Sequence, residues 1–275
     1  MREPPHMLKV GILGLGAIGS AISAAIDCKQ VDAELVALAD QDRARAEALS
    51  AELTNHPVVV SMDEMIERSD LAVEAASHAA LGEFVPQALG RGRDMLIMSV
   101  GGLLGHEEWF RVAHEQGCRI YIPSGAIAGL DGIKSASMGR IESAMLTSRK
   151  PVAALKESKY VMERGLPLDS YREDTVIFEG LAEEAARAFP STSNVAASLR
   201  LAIDPIAPIP VRVRIIAVPG GTENVHEIRV EGEFGRLTTK VENVPSRANP
   251  RTSQLAAFSA IATLKNLTRS LRVGT

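Results

Sequence analysis

The chain has 275 residues, with 30 lysines and arginines against 34 aspartates and glutamates, for a formal net charge of −4. Its basic residues are scattered, which argues against a nucleic-acid partner, and 46% hydrophobic with 23% charged residues describes an ordinary globular chain able to bury one large core or two smaller ones. No apolar run reaches membrane-spanning length. The N-terminal Met-Arg-Glu-Pro-Pro-His is unlike a signal peptide, and Cys28 and Cys118 lack a cysteine partner or a metal-ligand spacing. We therefore expect reduced thiols and a cytoplasmic protein.

The first 123 residues alternate strand and helix. Strands are expected at 8–13, 34–39, 57–60, 71–75, 95–99 and 119–122, and helices at 17–27, 42–53, 63–67, 78–90 and 106–116. Near-continuous apolar runs such as Asp94-Met-Leu-Ile-Met-Ser-Val100 suit parallel strands buried on both faces. The pattern predicts an α/β, Rossmann-type doubly wound parallel sheet.

The first strand feeds Gly14-Leu-Gly16-Ala17-Ile18-Gly19. In a dinucleotide turn Gly14 permits the sharp bend, Gly16 leaves room for a pyrophosphate, and Gly19 lets helix and strand approach closely. The N–H groups that open the helix, from Ala17 and Ile18 onward, offer partial positive charge to phosphates. About 20 residues on, Asp40 ends the second apolar run, where such folds place the acid that binds the adenosine ribose hydroxyls. The alternative is that Asp40 only caps the helix beginning near Asp42. A carboxylate there favours NAD over NADP, while Arg43 and Arg45 just beyond leave NADP open. Ligands of these sheets sit outside the carboxyl ends of the strands, so Ala76-Ser77-His78 and Ser99-Val-Gly101-Gly102 are expected near the nicotinamide end, unless the two glycines serve only the turn.

After Pro123 the texture changes. Residues 129–140 read as helix, 143–148, 153–162 and 174–178 as strands, and 180–188 and 194–203 as helices. Runs 211–218, 225–233 and 236–242 read as β, and Val211-Arg-Val-Arg-Ile and Glu227-Ile-Arg-Val-Glu231 alternate in period two, the mark of a sheet with one wet face. Residues 124–249 thus form a second α+β domain with a mainly antiparallel sheet. A last helix from near Ser253 carries Leu255, Phe258, Ile261, Leu264, Leu267 and Leu271 as an apolar stripe. Segment 250–275 is expected to complete the 1–123 domain, a dimer contact being the alternative.

Hydride transfer needs a base, and histidine is the usual one near neutral pH. His226 lies in the second domain and His78 at a ligand-facing strand end, so they lead the six histidines. Arg149 and Lys150 follow strand 143–148, and Arg247 and Arg251 flank Asn249-Pro250. Any of these could hold a carboxylate, or be solvated surface charge. No cluster has zinc-site spacing, so no metal is expected, and no Gly-x-Ser-x-Gly elbow occurs.

Several segments together resemble the L-aspartate dehydrogenase family: Pro123-Ser-Gly-Ala-Ile-Ala-Gly-Leu-Asp131, Thr147-Ser-Arg-Lys-Pro151, Asn194-Val-Ala-Ala197, His226, Glu242-Asn-Val-Pro-Ser246 and Asn249-Pro-Arg-Thr-Ser253. The resemblance covers essentially the whole chain. It implies NAD- or NADP-dependent oxidation of L-aspartate to iminosuccinate, which hydrolyses to oxaloacetate and ammonia or feeds a route to NAD. It also implies catalysis by His226 and cofactor contacts at Ala126 and Asn194. Arg251 stands where many relatives carry lysine, and Gly102 where alanine is common. We expect a small-molecule substrate, no nucleic acid or membrane partner, and a homodimer. The rivals are a homoserine dehydrogenase-like or dihydrodipicolinate reductase-like oxidoreductase, and an NAD(H)-binding regulator without catalysis.

Overall fold

The computed structural model describes residues 7–189, 193–204, 209–244 and 253–274. The chain divides into two compact units, Met1–Pro123 with Ala257–Arg272, and Ser124–Ala256 with Val273–Thr275.

The first unit alternates β1 (Leu8–Leu13), α1 (Ala17–Asp27), β2 (Ala33–Ala39), α2 (Arg43–Glu52), β3 (Val58–Val59), α3 (Met62–Arg68), β4 (Leu71–Glu74), α4 (His78–Gly90), β5 (Asp94–Ile97), α5 (Glu107–Gln116) and β6 (Ile120–Tyr121). All six strands are parallel, in the order β3-β2-β1-β4-β5-β6. The order reverses between β1 and β4, which is the switch point where ligands of such sheets bind. Val10, Ile12, Leu38, Val73 and Leu96 form a core with Ile22 and Ile26 of α1, as buried parallel strands require.

The second unit holds α6 (Leu130–Ala136), β7 (Ile141–Pro151), α7 (Val152–Leu155), α8 (Lys159–Arg164), β8 (Thr175–Leu181), α9 (Ala182–Ala188), α10 (Asn194–Ile203), β9 (Val211–Val218), β10 (Asn224–Gly232) and β11 (Gly235–Asn243). Its sheet order is β11-β10-β7-β9-β8. Only the central β7–β9 pair is parallel. Leu146, Val213, Ile215, Ile228 and Val230 pack with Ala185, Phe189, Val195 and Leu199 of the covering helices.

Four expectations change. Residues 153–162 are helices α7 and α8, not a strand: Ala153, Ala154, Lys156, Lys159, Met162 and Glu163 are good helix formers, Ser158 opens α8, and Gly165 at φ +58° closes it. Strand β7 runs on to Pro151 because residues 149–151 find partners on β9, so Arg149 and Lys150 lie within it rather than after it. The helix expected over 129–140 ends at Ala136. Strand β8 extends to Leu181, whose N–H the Glu184 carboxylate accepts at 2.7 Å, and α9 starts one residue later.

The terminal helix α11 (Gln254–Thr268) buries Ala260, Ile261 and Leu264 in the first unit's core. Phe258 is exposed, and Leu271 lies beyond the helix, also exposed, so the stripe is shorter than its sequence spacing implies.

Candidate active site

In the first unit the glycine turn follows β1. Gly14 has φ +87°, and a Cβ there would lie 2.6 Å from the backbone of Ala76. A Cβ on Gly19 would overlap the Gly14 carbonyl oxygen. Gly16 differs, because nothing lies within 4 Å of where its Cβ would be. It precedes α1, whose opening N–H groups have no side-chain cap and no acid in the first turn. Ala17 and Ile18 supply the first helical positions. An open cradle above an uncapped helix end fits a pyrophosphate.

Asp40 directly follows β2, with its side chain almost fully buried. Its oxygens accept the N–H of Leu15 at 2.6 Å and of Asp42 at 2.8 Å. It does not cap α2; Asp42 does, accepting the N–H of Arg45 at 3.1 Å. Asp40 is thus fastened to the turn, and Arg45 lies 3.8 Å from it. That geometry suits ribose hydroxyls with a guanidinium nearby.

Beyond the switch point, Glu74 ends β4 fully buried. Its carboxylate accepts the N–H of Ala76 at 2.8 Å, the N–H of Ser99 at 3.0 Å and the hydroxyl of Ser99 at 2.7 Å. Burial pushes its pKa up, against these hydrogen bonds, which pull it down. His78 opens α4. Gly102 sits so close to that helix that a Cβ would lie 2.8 Å from Leu81 and 3.2 Å from His78, which accounts for a residue without a side chain at that position.

In the second unit the ladder of β7 and β10 builds a polar patch. His226 pairs with Ser148, and Val225 with Arg149, which puts Asn224 beside Lys150. Side chains alternate along strands, so Ser148, Lys150, Asn224 and His226 share the face that further along carries Leu146 and Ile228. They are 2%, 7%, 7% and 4% exposed. Ser148 Oγ lies 2.9 Å from His226 Nδ1. Among the described residues Lys150 has no carboxylate within ion-pair reach, and Asn224 Oδ1 is buried without a donor. Asn243, the β11 partner of Asn224, donates to the Ala126 carbonyl at 3.0 Å and accepts the Ser253 hydroxyl at 2.5 Å.

Burial lowers the Lys150 pKa to about 8. Burial, and then the Lys150 charge, lower that of His226 to about 3. The patch therefore holds a neutral imidazole beside an ammonium with no counter-ion among the described residues. A carboxylate ligand would supply one and would raise the basicity of the imidazole.

Arg149, next to Lys150, projects from the other face of β7 and pairs with Asp174, so it is not part of the patch. Asn194 starts α10, which packs on α6 and α9. Arg247 and Arg251 lie outside the described residues. Asn224 and Glu74 were not singled out from sequence, and Ser148 and Asn243 entered only within segments that resemble the family, without a role. Their signal is a polar residue at an apolar position of a strand: Leu146-x-Ser148-x-Lys150 and Asn224-x-His226-x-Ile228 break a buried alternation, and Glu74, like Asp40, follows an apolar run.

Two family models match. One is described as aspartate dehydrogenase, C-terminal, over residues 131–267, and the other as homoserine dehydrogenase, NAD binding domain, over residues 14–123. The chain is 46% identical over 273 residues to an L-aspartate dehydrogenase of Methanosarcina mazei, covering 98% of this chain and 100% of that one. It is 46% identical over 273 residues, with the same coverage, to that of Methanococcoides burtonii. An aspartate dehydrogenase structure from Thermotoga maritima matches with TM-score 0.73 and 26% identity, covering 98% of this chain and 100% of that one. A homoserine dehydrogenase from Thiobacillus denitrificans, 17% identical with TM-score 0.56, shares the fold. With close relatives aligned from end to end, this chain belongs to the L-aspartate dehydrogenase family.

Proposed function

We propose that the protein oxidises L-aspartate, using NAD or NADP, to iminosuccinate and then to oxaloacetate and ammonia. The observation that carries the reading is the buried pair of Lys150 and His226: a cation with no counter-ion among the described residues, beside a neutral base, is a receptor for an anionic substrate that must lose protons. The family relatives, named for this activity, support the same substrate.

A nicotinamide cofactor, when bound, supplies the acceptor for the hydride. Gly14, Gly16 and Gly19, with the N–H groups of Ala17 and Ile18, hold its phosphates, and Asp40 takes the adenosine ribose hydroxyls. Ala126 and Asn194 are further cofactor contacts. Lys150 binds a substrate carboxylate by a charge-assisted hydrogen bond. Arg251, from the family-like Asn249-Pro-Arg-Thr-Ser segment, is the candidate for the second. The α-amine must be neutral, so that its lone pair forms the C=N bond as hydride leaves Cα. Water then adds to that carbon. His226 takes the proton from the water through Nε2 and returns it to the carbinolamine nitrogen; ammonia then leaves as the hydroxyl loses its own proton to solvent and closes to the ketone.

We place the protein in the cytoplasm, a reading supported by two free cysteines. No helix among the described residues is long and apolar enough to cross a membrane. We propose a homodimer, which light scattering checks.

The test is a panel of aspartate, glutamate, homoserine and malate with NAD and NADP at alkaline pH. Reduced cofactor is read by absorbance and ammonia in parallel. Equal amounts of both products with aspartate alone support the reading; turnover of homoserine or malate without ammonia, or of nothing, refutes it. His226→Ala should lower turnover at least about 100-fold with little change in cofactor binding.

A further inference from the structure

Glu74 stands where the neighbouring strands place apolar residues. Its ladder partners are Leu13 on β1 and Ile97 on β5. A carboxylate buried between them, with no cation within ion-pair reach among the described residues, is costly unless its hydrogen bonds serve a purpose. All three that it accepts come from the loops at the carboxyl ends of β4 and β5. Ala76 is the residue against which Gly14 packs, and the Ala75 N–H donates to the Leu13 carbonyl at 2.8 Å. Ser99 leads into the Val100–Leu103 turn, whose Gly102 rests on His78. One side chain therefore ties together the glycine turn, the loop after β4 and the turn after β5. The last two lie across the switch point from Asp40. A dinucleotide with its ribose on Asp40 and its pyrophosphate on the glycine turn would have these two loops to hold its other half.

We propose that Glu74 is a positioning residue that sets the loops after β4 and β5 for the nicotinamide half of the cofactor, acting through Ala76 and Ser99 and touching no reacting atom. This rests on the cofactor reading above. In E74Q the shape stays, but the amide N–H₂ faces a backbone N–H or the Ser99 hydroxyl, and at least one tie is lost.

The test compares two ligands. ADP-ribose carries the adenosine half and the pyrophosphate without nicotinamide, and NADH carries both halves. Calorimetry should give E74Q an ADP-ribose Kd within about twofold of wild type and an NADH Kd raised about tenfold, the loss of one charge-assisted hydrogen bond, with kcat lowered and the KM for aspartate unchanged. S99A, which removes only the hydroxyl tie, should show the same selectivity to a smaller degree, and carries the test if E74Q does not fold. Equal loss of both ligands, or loss of neither, overturns the proposal. A wild-type protein that binds neither ligand instead refutes the cofactor reading, and the proposal with it.

Discussion

The Ser148 hydroxyl oxygen and the Nδ1 atom of His226 lie 2.9 Å apart, facing each other across the β7–β10 ladder. For Nε2 to accept a proton, Nδ1 must carry the ring hydrogen, and Ser148 must then accept it. Ser148→Ala should lower kcat about tenfold by releasing this tautomer, with the KM for NAD unchanged. Ser148→Thr, which keeps the hydroxyl, should recover most of the loss. Steady-state kinetics of both variants check it.

Lys150 sets an expectation for ligand binding against pH. In the free protein it loses its charge as pH rises through about 8. Succinate has both carboxylates of aspartate but no amine to titrate, so its inhibition isolates the effect. Its inhibition constant should rise about tenfold from pH 7 to 9. Lys150→Arg, which stays charged, should flatten that rise, and Lys150→Met should weaken succinate about 10- to 100-fold at pH 7.

His226 links stability to pH. In the folded chain it protonates only near pH 3, whereas an unfolded imidazole does so near 6.5. Between those values the unfolded state binds more protons, so stability falls as pH falls. From pH 7.5 to 5 the loss from this group is about 2 kcal/mol. Denaturant titrations of wild type and His226→Asn should show a shallower acid-side decline in the variant.

Gly16 and Gly19 should separate binding from folding. Gly19→Ala drives a methyl group into the Gly14 carbonyl and should cost about 1–3 kcal/mol of stability. Gly16→Ala meets nothing in the ligand-free chain. It should melt like wild type and weaken NAD about tenfold or more, because the methyl group fills the phosphate cradle. Thermal melts beside NADH titration distinguish the two.

The sequence carries the parallel sheet clearly, because buried strands between amphipathic helices leave few readings of 8–123. It also carries the tight turn at Gly14 and the close approach at Gly19, which depend on local spacing. The 153–162 segment misleads because Tyr160 and Val161 suit a strand, while the ends of α7 and α8 are set by Pro151, Ser158 and Gly165. The patch around His226 is harder to read. Ser148 and His226 are 78 positions apart, and only the ladder register brings them together. Lys150 and Arg149 look equivalent in a string of letters; strand alternation buries one and leaves the other paired with Asp174 at the surface.

Helix α11 gives the order of synthesis a consequence. Ala260, Ile261 and Leu264 seal a core made otherwise by residues from the front of the chain, Val10, Ile12, Leu38 and Leu96 among them. On the ribosome, the part translated first keeps a greasy opening until the part translated last arrives to plug it. A frameshift or stop codon near position 255 would therefore injure the nucleotide fold at the opposite end of the gene product.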